Sequence, residues 1–436
     1  MHHRSPFCPG GRPLGRHPRP VPRCKLGDTA PVDTRPAVGQ ASGASAVVRE
    51  RDWRAALEGA VTRLDDATGG RRTCDLALVF ASFVYQDEFP ALLRAARAAT
   101  GAARVIGSSG WGVIGAGREI EAEPALALAT FTLPGATVTP VRIDQRALEG
   151  LGDPSAWYAH SGLDRDQVGG WLVLADPFSL DAERLLEGLA AAFPEAPPIG
   201  GLASGDPRRR TTHLFLDDEV YEDGAVLIAV GGEWEILAVV SQGAEPIGKT
   251  WTVTDADGHV LRSIGGQPAF EVLARTLLDL PEPMRARAGR NLLIGLAMDE
   301  YHDRFERGDF LIRNLVGGNR ETGELMVGTH PRVGQTIQFQ VRDPMAADEE
   351  LRLLLDRAVV ALRGRRPAGA LVCTCNGRGV GLFGVPDHDA ALVADRFRGV
   401  PMAGLFCNGE IGPVGRRPFV HGFTASIGLL VPKRQD

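Results

Sequence analysis

The chain has 436 residues, a formal net charge of -6, 44% hydrophobic residues and 23% charged residues. This length exceeds what one ordinary core supports and the composition is close to the globular average, so we expect two folded domains. The negative charge argues against nucleic acid as a partner, and without an apolar run of about 18 residues we expect no membrane insertion.

The first 46 residues differ in composition from the rest of the chain. Seven arginine and lysine residues stand there against two aspartates, interleaved with proline and glycine and almost without aliphatic residues. Such a segment buries too little apolar surface to offset its ordering entropy, and it lacks the apolar stretch of a signal peptide. We therefore predict a disordered tail over residues 1–46. The alternative is a basic arm that binds a membrane or nucleic acid.

After the tail, one order of elements occurs for the first time at 76–131. An apolar run typical of a strand at 76–83 is followed by helical spacing at 89–100 and by a second strand at 103–107. A loop rich in glycine and serine then leads to a strand at 125–131. The segment therefore predicts a unit of strand, helix, strand, glycine loop and strand.

The same unit occurs again at 171–230 and at 370–430. A strand, a crossover helix and a second strand form a right-handed parallel unit, and the closing strand adds an antiparallel neighbour. The repeats predict an α/β fold of mixed sheets faced by helices, built from repeated strand-helix-strand-loop-strand units in two domains. We expect all three units to share one strand order.

A segment of different character separates the second unit from the third. It contains a helix, three strands and a further helix, predicted at 270–280, 292–298, 310–315, 336–342 and 348–362. We place the domain boundary near residue 262, after a polar turn at 255–258. The N-terminal domain then covers 47–262 and the C-terminal domain 263–436.

Two glycine-rich loops in the N-terminal domain, at 107–112 and 200–205, form one candidate binding region. They lack a P-loop lysine and precede predicted strands rather than helices, so they indicate neither a nucleotide site nor any other cofactor. The candidate ligand-binding residues here are Ser108, Ser109 and Ser204, acting through hydroxyl and backbone groups. In the alternative, the loops are tight turns between strands.

Two Cys-Asn-Gly tripeptides, at 375–377 and 407–409, follow predicted neighbouring strands of the third unit. Asn-Gly tolerates positive φ, so both turns can present backbone N–H groups to a carboxylate or phosphate. We expect Arg378 to add a bidentate anion contact and Glu410 to meet an ammonium group. The alternative leaves the turns structural and pairs Arg378 with Glu410. The predicted ligand-binding residues are Asn376, Gly377, Arg378, Asn408, Gly409 and Glu410, with His421 and Thr424 at the edge.

The cysteines of the third unit allow two further interpretations. The first is a metal site, but the spacing of Cys373, Cys375 and Cys407 does not match a four-ligand zinc framework, so we predict no metal. The second is a hydrolase with Cys375 or Cys407 as nucleophile and His421 or His388 as base. No third, orienting residue is evident, and the sequence favours a binding protein without catalytic residues.

Several stretches resemble the FIST family, named for F-box and intracellular signal transduction. The resemblance is looser in the N-terminal domain and sharpest in the third unit, and it covers about residues 47–432. The stretches that carry it are 79–82, 106–109, 199–205, 308–314, 333–343, 375–379, 382–384, 386–389, 407–414 and 421–424.

The resemblance implies a sensory module of intracellular signal transduction that binds small molecules, with amino acids suggested as ligands. The sequence contains no recognisable kinase, cyclase or F-box segment, so we expect output through a signalling protein partner in trans. Six scattered cysteines do not form the framework of a disulfide-rich secreted domain and fit a cytoplasmic protein. The alternatives are a protein-interaction adaptor and the cysteine-dependent hydrolase.

Overall fold

The structure, a computed structural model, describes residues 41–70, 73–206, 208–288, 292–298, 300, 305 and 308–434. Most of the predicted tail therefore lies outside the described residues. The structure corrects the end of that tail, because residues 42–46 form the first part of a strand. This strand pairs with residues 125–132, about 80 positions further along the chain. Local composition does not report a partner at that distance.

The first repeat begins with this strand and carries a helix before the unit predicted from sequence. Its first helix starts at the cap residue Asp52, whose side chain accepts a hydrogen bond from the Arg54 amide, and it ends at Gly69 in the left-handed conformation. The elements are β1 (Ser42–Arg49), α1 (Trp53–Thr68), β2 (Cys74–Ser82), α2 (Phe89–Thr100), β3 (Ala102–Gly110), β4 (Gly112–Gly115), β5 (Arg118–Glu121) and β6 (Ala125–Thr132).

The second repeat follows the same plan. Its crossover helix starts at the cap residue Asp181 and buries Leu185, Leu186 and Leu189 on one face, as the helical spacing predicts. The elements are β7 (Ala136–Ile143), α3 (Gln145–Gly150), α4 (Pro154–Ser161), β8 (Val168–Ala175), α5 (Ala182–Ala192), β9 (Pro198–Leu202), β10 (Leu214–Leu216), β11 (Glu219–Tyr221) and β12 (Ala225–Gly232).

The third repeat begins at β13 (Trp234–Ser241) and is interrupted by an inserted sheet. The inserted elements are β14 (Ala244–Asp257), β15 (Val260–Ile264), β16 (Gln267–Pro268), α6 (Ala269–Leu278), α7 (Glu282–Ala288), β17 (Leu292–Ala297), β18 (Phe310–Asn319), β19 (Glu324–Val327) and β20 (Thr336–Arg342). The repeat then resumes with α8 (Pro344–Leu362), β21 (Gly369–Cys375), α9 (Gly379–Phe383), α10 (His388–Arg396), β22 (Met402–Cys407), β23 (Gly409–Val414), β24 (Arg417–His421) and β25 (Ala425–Pro432).

Each repeat builds a sheet with one strand order. The orders are β1-β6-β2-β3, β7-β12-β8-β9 and β13-β25-β21-β22, and in each the last two strands are parallel and the others antiparallel. The common strand order predicted from the sequence is confirmed. The inserted strands form a separate sheet of order β14-β20-β17-β18-β19-β15-β16.

The hairpin inside each repeat completes the sheet of another repeat. The β4–β5 hairpin of the first repeat pairs with β22 of the third, the β10–β11 hairpin of the second with β3 of the first, and the β23–β24 hairpin of the third with β9 of the second. Much of what the sequence presents as glycine loops is therefore strand. The exchange is cyclic, so all three repeat sheets depend on one another, and the described residues between 41 and 434 form one compact unit.

Three glycines fix a common register in these sheets. Each faces a valine on the neighbouring parallel strand, and a Cβ at each glycine would lie 1.7 Å from the carbonyl oxygen of that valine. No side chain fits at such a distance. The three pairs are Gly107 with Val79, Gly200 with Val173, and Gly404 with Val372.

The main core lies between the three repeat sheets. One apolar cluster takes residues from all of them, among them Phe80, Leu174 and Leu405, and each sheet packs its other face against its own helices. The inserted sheet has a separate core with α6 and α7. Among the described residues, no helix combines the length and apolarity that crossing a membrane requires.

Candidate functional site

The two Cys-Asn-Gly tripeptides lie side by side, as the sequence predicts. Cys375 pairs with Cys407 at the ends of β21 and β22, and the Asn376 amide donates to the Cys407 carbonyl at 2.9 Å. The Asn376 side-chain amide donates to the Asn408 side-chain oxygen, also at 2.9 Å. Asn408 in turn donates from its side chain to the Ala203 carbonyl at 3.0 Å. The turns therefore join the third repeat to the second.

Arg378 is buried and has a carboxylate partner. Its Nε and Nη2 donate to the two carboxylate oxygens of Asp389 at 2.7 and 2.9 Å. Burial opposes the ionisation of Asp389, but the Arg378 charge and hydrogen bonds from His388, Arg378 and Thr374 hold its pKa below the ordinary value. The predicted alternative partner, Glu410, is thus corrected to Asp389. This pairing leaves the guanidinium no free bidentate edge.

Glu410 is completely buried at the start of β23. One of its carboxylate oxygens accepts the Thr424 amide at 3.1 Å, and the other has no hydrogen-bond partner among the described residues. Burial raises the pKa of Glu410 well above its ordinary value, while the Thr424 amide, the Arg378 charge and the neighbouring Cys375 thiol act in the opposite direction. A buried carboxyl group with an unmet oxygen is costly to a fold.

Arg342, at the end of β20, lies next to this carboxyl group and was not among the predicted site residues. Its guanidinium carbon is 4.1 Å from the Phe423 ring centroid, and one terminal nitrogen is 3.2 Å from where a Cβ on Gly377 would stand. Burial lowers its pKa, and the charges of Cys375 and Glu410 raise it. No carboxylate of the described residues lies within ion-pair distance of it. The signal for Arg342 was its position in the stretch 333–343 of the family resemblance.

Phe423 holds these groups in place with an unusual backbone. Its φ of 61° is left-handed, which a bulky residue rarely adopts. This conformation directs the Phe423 carbonyl to Arg378, at 3.3 Å, while the following amide of Thr424 donates to Glu410. Strain of this kind often marks functional sites. We call Cys375, Glu410, Phe423, Thr424 and Arg342 the strand-end cluster.

The candidate nucleophiles are held as neutral thiols. Burial, and then the charge of Glu410, raise the pKa of Cys375 to about 12, and burial raises that of Cys407 as well. A thiol attacks as thiolate, so neither cysteine is activated at neutral pH. Gly201 makes room for the second thiol, because a Cβ there would lie 2.3 Å from the Cys407 sulfur.

The two candidate bases are engaged elsewhere. His421 is buried beside β23, where its Nε2 lies 2.9 Å from the Gly412 carbonyl, and burial lowers its pKa to about 4. It is therefore neutral at pH 7, which makes Nε2 the donor to that carbonyl. His388 lies between two carboxylates, with Nδ1 at 2.9 Å from Asp389 and Nε2 at 3.0 Å from Asp348.

The serines of the N-terminal candidate region join strand ends from all three repeats. The Ser109 hydroxyl donates to the Ser204 carbonyl at 2.8 Å, and the Ser204 hydroxyl donates to the Phe406 carbonyl at 2.5 Å. The Trp111 amide donates to the Ser204 hydroxyl at 2.7 Å. Ser108 is buried, and its hydroxyl has no partner among the described residues. The hydroxyl groups of two of the three predicted serines, Ser109 and Ser204, thus form hydrogen bonds with backbone groups.

Two cavities lie near the sequence-predicted residues without enclosing them. A small one of about 10 Å³, enough for roughly one water, is lined by Gln242, Gln340 and Glu350 among others. Gln340 lies two residues before Arg342 on the same face of β20, so this cavity adjoins the strand-end cluster. A larger one of about 190 Å³ lies between the α5–β9 loop and the β23–β24 hairpin, beside Pro197 and Arg416.

Fold and site together define an α/β protein of three exchanged repeats and an inserted sheet, with a buried polar cluster where strands of the third repeat end. The chain belongs to the FIST family. Models of the FIST N domain and the FIST C domain match residues 75–267 and 269–413. The family resemblance seen in the sequence is confirmed.

Two similar proteins come from mycobacteria. An uncharacterized protein of Mycobacterium tuberculosis strain H37Rv is 39% identical over 392 residues, which is 87% of this chain and 96% of that protein. An uncharacterized protein of Mycobacterium bovis is 36% identical over 392 residues, which is 87% of this chain and 95% of that protein. The matches extend across both domains.

Solved structures of cyanuric acid hydrolase are similar to the chain at a low level. One has a TM-score of 0.34 and 8% identity and covers 90% of this chain and 100% of its own. That of the enzyme from A. caulinodans has a TM-score of 0.35 and 9% identity, with coverages of 91% and 100%. A likeness this low assigns no activity to this chain.

Proposed function

We propose that this chain is a cytoplasmic sensory protein that binds an amino acid or a similar small metabolite at the strand-end cluster and signals through a protein partner in trans. One observation carries the proposal: the buried Glu410 has an oxygen without a hydrogen-bond partner among the described residues, and the Nε of Arg342, whose pKa responds to the Glu410 charge, has none either. Buried polar groups in proteins are nearly always hydrogen-bonded. Two unmet groups in one place indicate where a ligand completes the hydrogen bonding.

Binding is favoured over hydrolysis by the state of the cysteines. A cysteine hydrolase needs a thiolate held by a nearby base, whereas Cys375 has a pKa of about 12. His421, the nearer candidate base in sequence to Cys407, is bonded to a backbone carbonyl instead. These contacts support a site that holds a ligand without attacking it.

The adaptor alternative has one observation in its favour. On α8, four apolar side chains, Met345, Leu353, Val359 and Val360, are 69%, 42%, 42% and 76% exposed. Exposed apolar residues on one element favour contact with a protein. For a pure adaptor, Val360→Asp with Leu353→Asp removes a co-purifying partner, and no small molecule changes the melting temperature.

A thermal-shift screen of the full chain tests the proposal. The probes are the common amino acids and small carboxylates at millimolar concentration. A ligand that binds only the native state adds about 2.7 kcal/mol to the free energy of unfolding at 100 times its Kd. The melting temperature rises as a consequence. We expect at least one amino acid to raise the melting temperature.

Arg416→Ala is the matched variant for the larger cavity, because Arg416 lines that cavity and is far in sequence from the cluster residues of β20 and β21. The shift should persist in this variant. A shift that disappears in Arg416→Ala moves the site to the larger cavity, and a panel without any shift contradicts the proposed function.

A further inference from the structure

The repeats allow a residue-by-residue comparison inside one molecule. The three register glycines align the strands β3, β9 and β22, and the exchanged hairpins pair with these strands in matching register. Glu410 lies opposite Gly201, one residue after the register glycine of β9. The residues in the same place are Leu214, opposite Ser108, and Val113, opposite Leu405.

At this position the other two repeats have an apolar residue, whereas the third repeat has Glu410. Leu214 and Val113 both belong to the core between the sheets. The next strand departs in the same way, because His421 pairs with Glu410 where the other hairpins have Tyr221 and Ile120. An aliphatic side chain thus suits this position of the fold, and the carboxyl group is not needed to build it.

Glu410 also lacks a close ionic partner. The other candidate, Arg378, already donates from its Nε and Nη2 to the carboxylate of Asp389. Glu410 acts on Arg342 as a neighbouring charge that has a minor effect on the Arg342 pKa, and no hydrogen bond joins the two among the described residues. Glu410 and Arg342 are thus an acidic and a basic group held near each other, with no hydrogen bond or ion pair between them among the described residues.

The surroundings suit a ligand with two charged ends. On one side the guanidinium of Arg342 lies against the Phe423 ring, and both pack closely on Gly377, where a Cβ would lie 3.0 Å from Phe423 and 3.2 Å from Arg342. A guanidinium binds a carboxylate through two parallel hydrogen bonds. On the other side the free oxygen of Glu410 can accept from an ammonium group.

We propose that Glu410 and Arg342 are the specificity-determining poles of the ligand site, which bind the ammonium and the carboxylate group of one zwitterionic α-amino acid. This inference rests on the proposed function and assigns its two charged contacts. Arg378, paired with Asp389, is a positioning residue that holds the Phe423 carbonyl.

The inference has a consequence for protons. Burial raises the pKa of Glu410 well above its ordinary value and so favours the protonated carboxyl group in the empty site. The other titratable or charged groups next to it are Arg342, Arg378, the cross-strand partner His421 and the thiols of Cys375 and Cys407, and His421 and both thiols stay neutral there. An arriving ammonium group lowers the pKa of Glu410 again. Binding therefore favours release of a proton from Glu410.

Calorimetry tests the two poles separately. The probe is the amino acid that gives the largest thermal shift, compared with its deaminated acid and its amide. For wild type we expect both analogues to bind on the order of 10- to 100-fold more weakly, the scale of a charged hydrogen bond. Glu410→Gln and Arg342→Gln should each weaken binding of the amino acid by a similar factor. The controls are Glu321→Gln and Arg332→Gln, because both residues are exposed, and they should leave the affinity unchanged.

Proton release is measured by repeating the titration in phosphate and in Tris, whose ionisation enthalpies differ. Wild type should show a buffer-dependent heat that corresponds to a released proton, and Glu410→Gln should show none. Equal affinity in wild type, Glu410→Gln and Arg342→Gln overturns the inference while the proposed function stands. If no amino acid binds wild type, both fail.

A variant without ligand gives an independent result. Glu410→Leu places in the third repeat the residue that the second repeat has at this position. If the carboxyl group is kept for binding, this change raises the melting temperature, by about 2 °C or more, since it removes a buried, half-satisfied acid. A fall in melting temperature would assign Glu410 to the fold and overturn the inference.

Discussion

At the scale of single residues, the two arginines of the site exchange the roles that sequence suggests. Arg378 follows the Asn-Gly turn and looks available, yet it is buried with Asp389. Arg342 ends a strand of the inserted sheet, and only tertiary packing brings it to Glu410. The turn chemistry of 375–377 and 407–409 was readable because Asn-Gly acts locally. Which carboxylate pairs with which arginine depends on contacts between elements, so the pairing could not be read from the sequence.

The ion pair between Arg378 and Asp389 gives a stability prediction. The substitution to test is Arg378→Ala. In the structure this change leaves the buried Asp389 carboxylate without its charged partner, so we expect it to lower the free energy of unfolding by about 3 to 5 kcal/mol in urea denaturation. Replacing both partners by apolar residues, Arg378→Met with Asp389→Leu, should recover much of the loss.

Arg352→Ala is the matched control, since Arg352 is 57% exposed in its own ion pair with Asp348. Its loss should cost about 1 kcal/mol or less. If Arg378→Ala costs no more than this, the buried pair does not stabilise the fold in the way described.

At the scale of elements, periodicity predicted what forms locally. The helix predicted at 89–100 has those bounds in the structure, and the strand predicted at 336–342 does too. The glycine loops were misjudged because their strands pair with another repeat. Gly112–Gly115 is an example, since it forms its ladder with β22, almost 300 residues away. A short glycine-rich segment shows no alternation strong enough to reveal such a partner.

The first strand gives a prediction at this scale. β1 pairs along its whole length with β6, and the Ser45 hydroxyl accepts the Met402 amide of the third repeat at 3.1 Å. A chain that begins at Val47 loses five of these paired residues and leaves the edge of β6 open. We expect its melting temperature to fall by several degrees, whereas a chain that begins at Ala41 should melt within about 1 °C of the full chain. Scanning calorimetry of the two truncated chains decides, and equal melting temperatures would show that residues 42–46 add no stability.

At the scale of the whole molecule, the exchanged hairpins determine how the protein folds. The sequence predicted three units and a boundary near residue 262. The structure adds that β13, on the N-terminal side of this boundary, is an outer strand of the third sheet, and that β4 and β5 complete the same sheet. Closure of the cycle could not be read from the units one by one, because each hairpin resembles a loop of its own repeat.

The cycle predicts that the two family domains do not fold apart. A fragment 41–266 lacks β23 and β24, so the second sheet loses an edge, and its own β4, β5 and β13 lose the third sheet entirely. A fragment 267–434 retains β21, β22 and β25 without either flanking partner. Exposed strand edges of this kind favour aggregation or association. We expect neither fragment alone to unfold cooperatively, and an equimolar mixture to recover one transition near that of the full chain, as followed by circular dichroism.

The control is the full chain cleaved at an engineered protease site between Gly266 and Gln267 after folding, which should keep that transition. A fragment 41–266 that unfolds cooperatively by itself would mean that the exchanged strands are dispensable to the first two repeats.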